Sequence, residues 1–176
     1  MIDSIKKILF TGSLNDEYLS DLVTDLSETI NEHKLELFSY SNSNNQNQLL
    51  NVKPLIESDV CKMDLIVSIG GDGTMLKSSK LASNHNVPIT GINKGRLGFL
   101  TDINPELVSD TLKEIIQGDY QIESRMLLDV KISNGNKERF IGHAVNDLVI
   151  NKTKTGRMIN VQTSINETYV NSNEGD

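Results

Sequence analysis

The sequence predicts an α/β fold: an open parallel sheet with helices on its faces over residues 1–119, followed over residues 120–176 by part of an all-β domain. Three observations carry this. Strand-like and helix-like segments alternate through the first part. The segment Asp64–Ile69 is nearly continuous in apolar residues, as a strand covered on both faces must be. After Asp119 the helical periodicity stops and short strand-like runs take over.

Element by element, Lys7–Thr11 reads as a short buried strand that ends at Gly12. Between Asp16 and Ile30, the residues Leu19, Leu22, Val23, Leu26 and Ile30 recur at spacings of three and four, which places them on one helical face. Leu35 and Leu37 flank Glu36 as in a second strand. The polar tract Ser41–Gln48 has no apolar residue to bury and is expected to be a mobile loop. A short helix is expected after Pro54, ending near Cys61. The strand Asp64–Ile69 runs into Gly70-Gly71-Asp72-Gly73-Thr74, with a helix over Met75–Ser83 and a further strand at Val87–Ile92. A helix over 104–116 has Asn104 as its cap, Pro105 at its first position and Gly118 just beyond its end. In the second part, Gln121–Glu123, Leu127–Ile132, Phe140-Ile141, Asp147–Ile150 and Met158–Ile165 read as strands. Ser133-Asn134-Gly135-Asn136 marks a hairpin turn.

Composition narrows the function. The formal net charge is -7 and aromatic residues make up 5% of the chain. Nucleic acid is bound chiefly by clustered Lys and Arg, so an acidic chain without a basic stripe is a poor candidate for it. A small anion remains possible, because backbone N–H groups and one lysine suffice to hold it. No apolar run reaches the ~20 residues of a spanning helix, and the amino terminus lacks a signal-peptide core. The single cysteine, Cys61, cannot form an internal disulfide. These features predict a cytoplasmic protein with no membrane partner. His33, His85 and His143 stand apart without metal-ligand spacing, so no metal site is expected from protein ligands alone.

The segment richest in chemistry is Gly70–Thr74. Three glycines in four positions, after a buried strand and before a helix, let the backbone approach a ligand and aim successive N–H groups at phosphate oxygens. Asp72 opposes anion binding unless it accepts a proton or binds a metal. The turn alone is equally compatible with Asp72 as a helix cap; its place at the carboxyl end of a parallel strand favours function. Within Gly91–Asp102 a strand ends in a loop that adds two glycines, Gly95 and Gly98, and two cations, and by itself this could be an ordinary crossover with Leu97 and Phe99 in the core. Walker, dinucleotide-cofactor and protein-kinase motifs are absent from this sequence.

Together, Gly70-Gly71-Asp72-Gly73-Thr74-Met75-Leu76 and Gly91-Ile92-Asn93-Lys94-Gly95-Arg96-Leu97-Gly98-Phe99-Leu100-Thr101 resemble the paired signature of bacterial-type NAD kinases. Asn146-Asp147-Leu148-Val149 resembles that family's third motif. The resemblance implies phosphoryl transfer from ATP or polyphosphate to the adenosine ribose 2′-hydroxyl of NAD, with Mg²⁺ accompanying ATP and NAD a substrate rather than a cofactor. It implies Asp72 as the catalytic base and Gly73 as backbone at the same place. Lys77 matches a basic position near phosphate, Asn146 and Asp147 the pair that holds NAD, Arg157 a ligand contact, and Asp176 an acid at the nicotinamide end. The family usually has Glu where this chain has Asp147.

The family also continues beyond Gly175-Asp176 into a Thr-Gly-Ser-Thr-Ala-Tyr loop, so the resemblance implies an incomplete enzyme, weakly active or inactive, and a homo-oligomer in its full-length form. Two other readings share part of the pattern. A kinase of a lipid or sugar hydroxyl would keep Asp72 and its glycines, whereas the Leu97-Gly98-Phe99-Leu100 ending favours NAD. A non-catalytic nucleotide-binding fragment would leave NAD unphosphorylated.

Overall fold

The computed structural model describes residues 4–12, 16–39, 52–94, 98, 100–101, 103–151 and 158–175. The polar tract Ser41–Gln48 lies outside them. The chain divides into two compact units, Met1–Leu128 and Asp129–Asp176.

The first unit is built on five parallel strands: β1 (Lys7–Gly12), β2 (Glu36–Ser39), β3 (Val52–Pro54), β4 (Leu65–Gly70) and β5 (Ile89–Asn93), in the order β3-β2-β1-β4-β5. Every residue of β4 is buried, as its unbroken apolar run requires. Side-chain alternation divides the strands between two cores. Ile8, Phe10, Leu65, Val67 and Ile69 face one, packed with Leu19, Leu22 and Leu26 and with Val108, Leu112 and Ile116. Leu9 and Ile66 face the other, packed with Val60, Ala82 and Val87. Each fully buried side chain of this kind stabilises the fold by roughly 1.5–3 kcal/mol.

The helix expected from Asp16 to Ile30 is two: α1 (Asp16–Asp25) and α2 (Ser27–His33), with Leu26 between them at ψ 2°. The apolar spacing is unaffected because Leu26 and Ile30 still accept and donate across the break, Ile30 N–H to Leu26 C=O at 2.8 Å. The short edge strand β3 was not legible, since three residues carry no period; Pro54 at its end is tolerated on an edge. The segment after Pro54 forms a 3-10 helix, Glu57–Lys62. Helix α3 runs over Asp72–His85, three residues earlier than the apolar spacing suggests. Asn104 caps a 3-10 turn over Pro105–Leu107, its Oδ1 accepting from the Glu106 N–H at 3.2 Å, and α4 continues over Val108–Gln117 to Gly118 at φ 96°.

Asp64, just before β4, clamps the start of β1: one of its carboxylate oxygens accepts from the N–H groups of both Lys6 and Lys7 at 2.8 Å. Asp64→Ala is expected to cost about 2 kcal/mol, because two donors lose a charged acceptor. A urea titration of the folded chain checks this by its midpoint.

The strand order reverses between β1 and β4. From β1 the chain moves through α1 and α2 to β2 and then to β3 on one side; from β4 it moves through α3 to β5 on the other. The carboxyl ends of β1 and β4 therefore border a crevice of the kind in which open α/β sheets bind ligands.

The second unit contains two hairpins: β6 (Leu128–Asn134) with β7 (Lys137–Ala144), and β8 (Ile159–Ile165) with β9 (Thr168–Gly175). The first turns at Gly135-Asn136, where the sequence places it. The second turns through Asn166 and Glu167, both at positive φ, and opposite Thr163 and Ser164 the strand β9 carries one extra residue, Val170, as a bulge. The sequence did not announce β9: Thr168–Gly175 lacks apolar alternation, and a turn without glycine hides the hairpin. Gln121–Glu123 and Asp147–Ile150 are not strands. Leu148, Val149 and Ile150 are apolar enough for one, but they are 56%, 68% and 58% exposed and find no ladder partner among the described residues.

Candidate functional site

The fully buried strand β4 delivers the chain to Gly70, and Gly71 leads in extended conformation into α3. Asp72 is the first residue of the helix rather than its cap. No side chain caps α3; the Asp72 carboxylate instead reaches a distant segment, its Oδ1 accepting the Leu100 N–H at 3.1 Å. The reading of Asp72 as a helix cap is thereby set aside.

Gly98 explains how the carboxylate fits there. A Cβ at this position would stand 2.7 Å from the Asp72 Cγ and 3.0 Å from Oδ2, closer still to Oδ1. The glycine that the sequence allowed as mere chain path is thus the space Asp72 occupies. Thr101, fully buried, lies just behind, its methyl group 2.9 Å from where a Gly91 side chain would begin. The segment is pinned to β5 by a parallel bridge between Ile92 and Ile103 and by the Asn93 N–H to Ile103 C=O bond at 3.0 Å.

Gly71 and Gly73 behave in the opposite way. A Cβ at either would meet nothing within 4 Å among the described residues, and neither has positive φ. No packing within the described protein requires glycine at these two positions, and at Gly73, inside the helix, it costs up to about 1 kcal/mol relative to alanine. Bare backbone that the fold does not need is what a closely approaching ligand needs. Gly73→Ala is expected to raise the urea midpoint slightly while weakening nucleotide binding, the two effects being read on one preparation by denaturation and calorimetry. Lys77 is exposed one helical turn beyond Gly73, on the same face of α3.

Beneath the turn, three buried hydroxyls tie α3 to the sheet. Ser78 Oγ lies 2.8 Å from Thr11 Oγ1 on β1 and accepts from Ser68 Oγ on β4 at 3.0 Å. Thr11 and Ser68 break otherwise apolar strands at positions facing α3, and that shared parity is the one sequence signal of the contact. Gly12, at φ 106°, ends β1 against the Ile69 carbonyl, with Thr74 Cγ2 2.6 Å from where a Cβ would lie. The starting turn of α3 is therefore held by both strands that border the crevice.

The remaining residues singled out by the sequence lie elsewhere. Asn146 and Asp147 belong to the second unit, exposed, two and three residues past β7. Arg157 and Asp176 lie outside the described residues, as do Gly95, Arg96, Leu97, Phe99 and Asp102. Among the described residues no three of His, Cys, Asp and Glu stand together as metal ligands, and no helix is long and apolar enough to cross a membrane.

Comparison with known proteins agrees with this geometry. The NAD kinase from Aromatoleum aromaticum is 46% identical over 113 residues, which are 64% of this chain and 38% of that protein. The NAD kinase of Pseudomonas aeruginosa strain UCBPP-PA14 is 40% identical over 121 residues, 69% of this chain and 40% of that protein. The chain thus spans about two-fifths of the length of the curated relatives it matches. Two solved structures share the fold. The yeast NADH kinase complexed with NADH superposes with a TM-score of 0.78 at 20% identity, over 99% of this chain and 56% of that one. An NAD kinase from Archaeoglobus fulgidus in complex with ATP gives 0.63 at 22%, over 96% and 57%. The model of the ATP-NAD kinase N-terminal domain matches residues 14–120, well over half the chain, and spans the strand β4, the glycine turn, α3 and the Gly98–Leu100 segment that holds Asp72. The chain belongs to the NAD kinase family.

Proposed function

We propose that this chain carries the catalytic aspartate and phosphate-binding turn of an enzyme that transfers a phosphoryl group from ATP or polyphosphate to the adenosine ribose 2′-hydroxyl of NAD. The observation that carries the proposal is Asp72: a carboxylate at the carboxyl end of a parallel strand, oriented by the Leu100 N–H and given its space by Gly98. Phosphoryl transfer needs positioning, charge stabilisation and a base aimed at the attacking hydroxyl. In this proposal Asp72 takes the ribose proton. The bare backbone at Gly71 and Gly73 and the first turn of α3 receive phosphate oxygens, with Lys77 supplying positive charge. Asn146 and Asp147 bind sugar hydroxyls, which short amides and carboxylates suit, and Arg157 and Asp176 complete the contacts to NAD. In this proposal the first 119 residues are the nucleotide-binding domain, and residues 120–176 are the β region that supplies the acceptor contacts.

The residues present fit an Mg²⁺ ion that arrives on the nucleotide: Asp72 is a single carboxylate beside a phosphate-binding turn, and Mg²⁺ is commonly held by one or two carboxylates together with substrate phosphates. When bound, it offsets charge between donor phosphates. In this proposal the enzyme works in the cytoplasm, a homo-oligomer in its full-length form, without nucleic-acid or membrane partners.

The test is formation of NADP from ATP, Mg²⁺ and NAD, resolved by chromatography, with diacylglycerol and a hexose phosphate offered as rival acceptors. NADP as the product supports the proposal. Phosphorylation of either rival with NAD untouched would overturn it.

A further inference from the structure

The family reading uses Asp72, the glycine turn and Lys77, and among the described residues it gives no role to Lys94, a cation beside the crevice. Lys94 is the first residue past β5, and its backbone N–H donates to the Gly70 carbonyl at the end of β4 at 3.3 Å. Its ammonium lies 4.5 Å from the centroid of the Tyr18 ring. Tyr18 is the third residue of α1, the helix that follows β1. The Lys94 side chain therefore runs from the end of β5, past the end of β4, to the helix that leaves β1. It crosses the mouth of the crevice where the strand order reverses, on the α1 side, while Asp72 and α3 rise on the other.

We infer that Lys94, positioned by Tyr18, is a binding cation for the phosphate chain of a nucleotide lying across the β1/β4 crevice. The inference rests on the nucleotide-kinase reading and adds to it a residue and a subsite.

Three physical considerations support it. A free lysine side chain carries about 2 kcal/mol of rotamer entropy, and an aromatic face that holds the ammonium removes part of that cost before a ligand arrives. Partial burial pushes the Tyr18 phenol up from its ordinary value, so the ring presents a neutral face throughout the physiological range. The chain as a whole has a net charge of -7, so an anion needs local positive charge to approach. Lys94 places that charge across the crevice from the N–H groups at the start of α3. A phosphate chain between them would have amide donors on one side and an ammonium on the other. Lys94 is the binding residue; Tyr18 acts through it and is a positioning residue.

Calorimetric titration of the folded chain tests this with inorganic tripolyphosphate, ATP and NAD, each with Mg²⁺. The proteins are the wild type, Lys94→Met, Tyr18→Leu, Tyr18→Phe and Lys80→Met, the last an exposed lysine farther along α3. Lys94→Met is expected to weaken tripolyphosphate about tenfold, and Tyr18→Leu about threefold. Tyr18→Phe, which keeps the ring face, is expected to bind as the wild type does, as is Lys80→Met. A loss shared by ATP and not by NAD assigns the subsite to the phosphoryl donor; a loss shared by NAD and not by ATP assigns it to the pyrophosphate of the dinucleotide. Equal affinities of wild type and Lys94→Met for all three ligands overturn the inference and leave the kinase reading to stand on Asp72. A folded wild type that binds none of the three overturns both.

Discussion

Asp72→Asn is expected to lower the rate of NADP formation by about two to four orders of magnitude, the usual contribution of a positioned general base. The substitution is chosen because it changes little else. Asparagine has the same shape, and its amide oxygen can accept the Leu100 N–H that the carboxylate accepts at 3.1 Å. Its Cγ also fits the space left by Gly98. What disappears is the capacity to take a proton from the ribose hydroxyl. Affinity for ATP should hold or improve, since a negative charge beside the turn proposed to bind phosphate has been removed. The assay is NADP formation followed beside ATP calorimetry, with a urea midpoint to establish that the fold is unchanged. A variant that keeps more than a tenth of the wild-type rate would show that Asp72 is not the base. Loss of rate accompanied by loss of fold would assign Asp72 a structural role instead.

The sequence displayed the first unit more fully than the second, for physical reasons. β4 announces itself because it is buried on both faces and must be largely apolar; the helical segment 105–117 does so because the Asn104 cap and Pro105 of its leading 3-10 turn and Gly118 beyond α4 each answer a local backbone requirement. These signals are contained in a few neighbouring residues. The break at Leu26 is invisible because it leaves the apolar face intact. In the second unit, β9 is polar along its length and its turn uses Asn166 and Glu167 at positive φ instead of glycine. Conversely, Leu148-Val149-Ile150 has the composition of a strand, yet a strand requires a partner, which composition cannot supply.

The same distinction governs the site. Asp72 and its glycines are adjacent in sequence and were readable as a unit. The groups that make Asp72 usable come from elsewhere: the Leu100 N–H lies 28 residues away, and the hydroxyl contact between Thr11 and Ser78 spans 67. No local pattern encodes such distances. The Lys94–Tyr18 contact likewise depends on β1 and β5 both flanking β4, a fact of topology. Motif reading therefore singles out Asp72, while the contacts that orient its carboxylate emerge only with the fold.

Gly98→Ala examines that orientation directly. Its added Cβ would overlap the Asp72 carboxylate, lying 2.7 Å from Cγ even before the nearer oxygen is considered. The obstacle is the end of a side chain rather than backbone, so the structure can relieve it by turning Asp72 aside. The cost to stability is then small, expected at about 1 kcal/mol or less. The cost to function is not: the carboxylate must leave the position in which it accepts the Leu100 N–H, and a base displaced by about 1 Å loses on the order of a hundredfold in rate. The expected result is a folded protein with a near-normal urea midpoint, little change in ATP affinity and NADP formation reduced about a hundredfold. A double variant, Gly98→Ala with Asp72→Asn, separates this mechanism from a general loosening of the loop. If alanine acts by moving the carboxylate, it should have little further effect once the carboxylate is gone, and the two losses should be far from additive. Full additivity would mean that Gly98 serves the chain path alone, independently of Asp72.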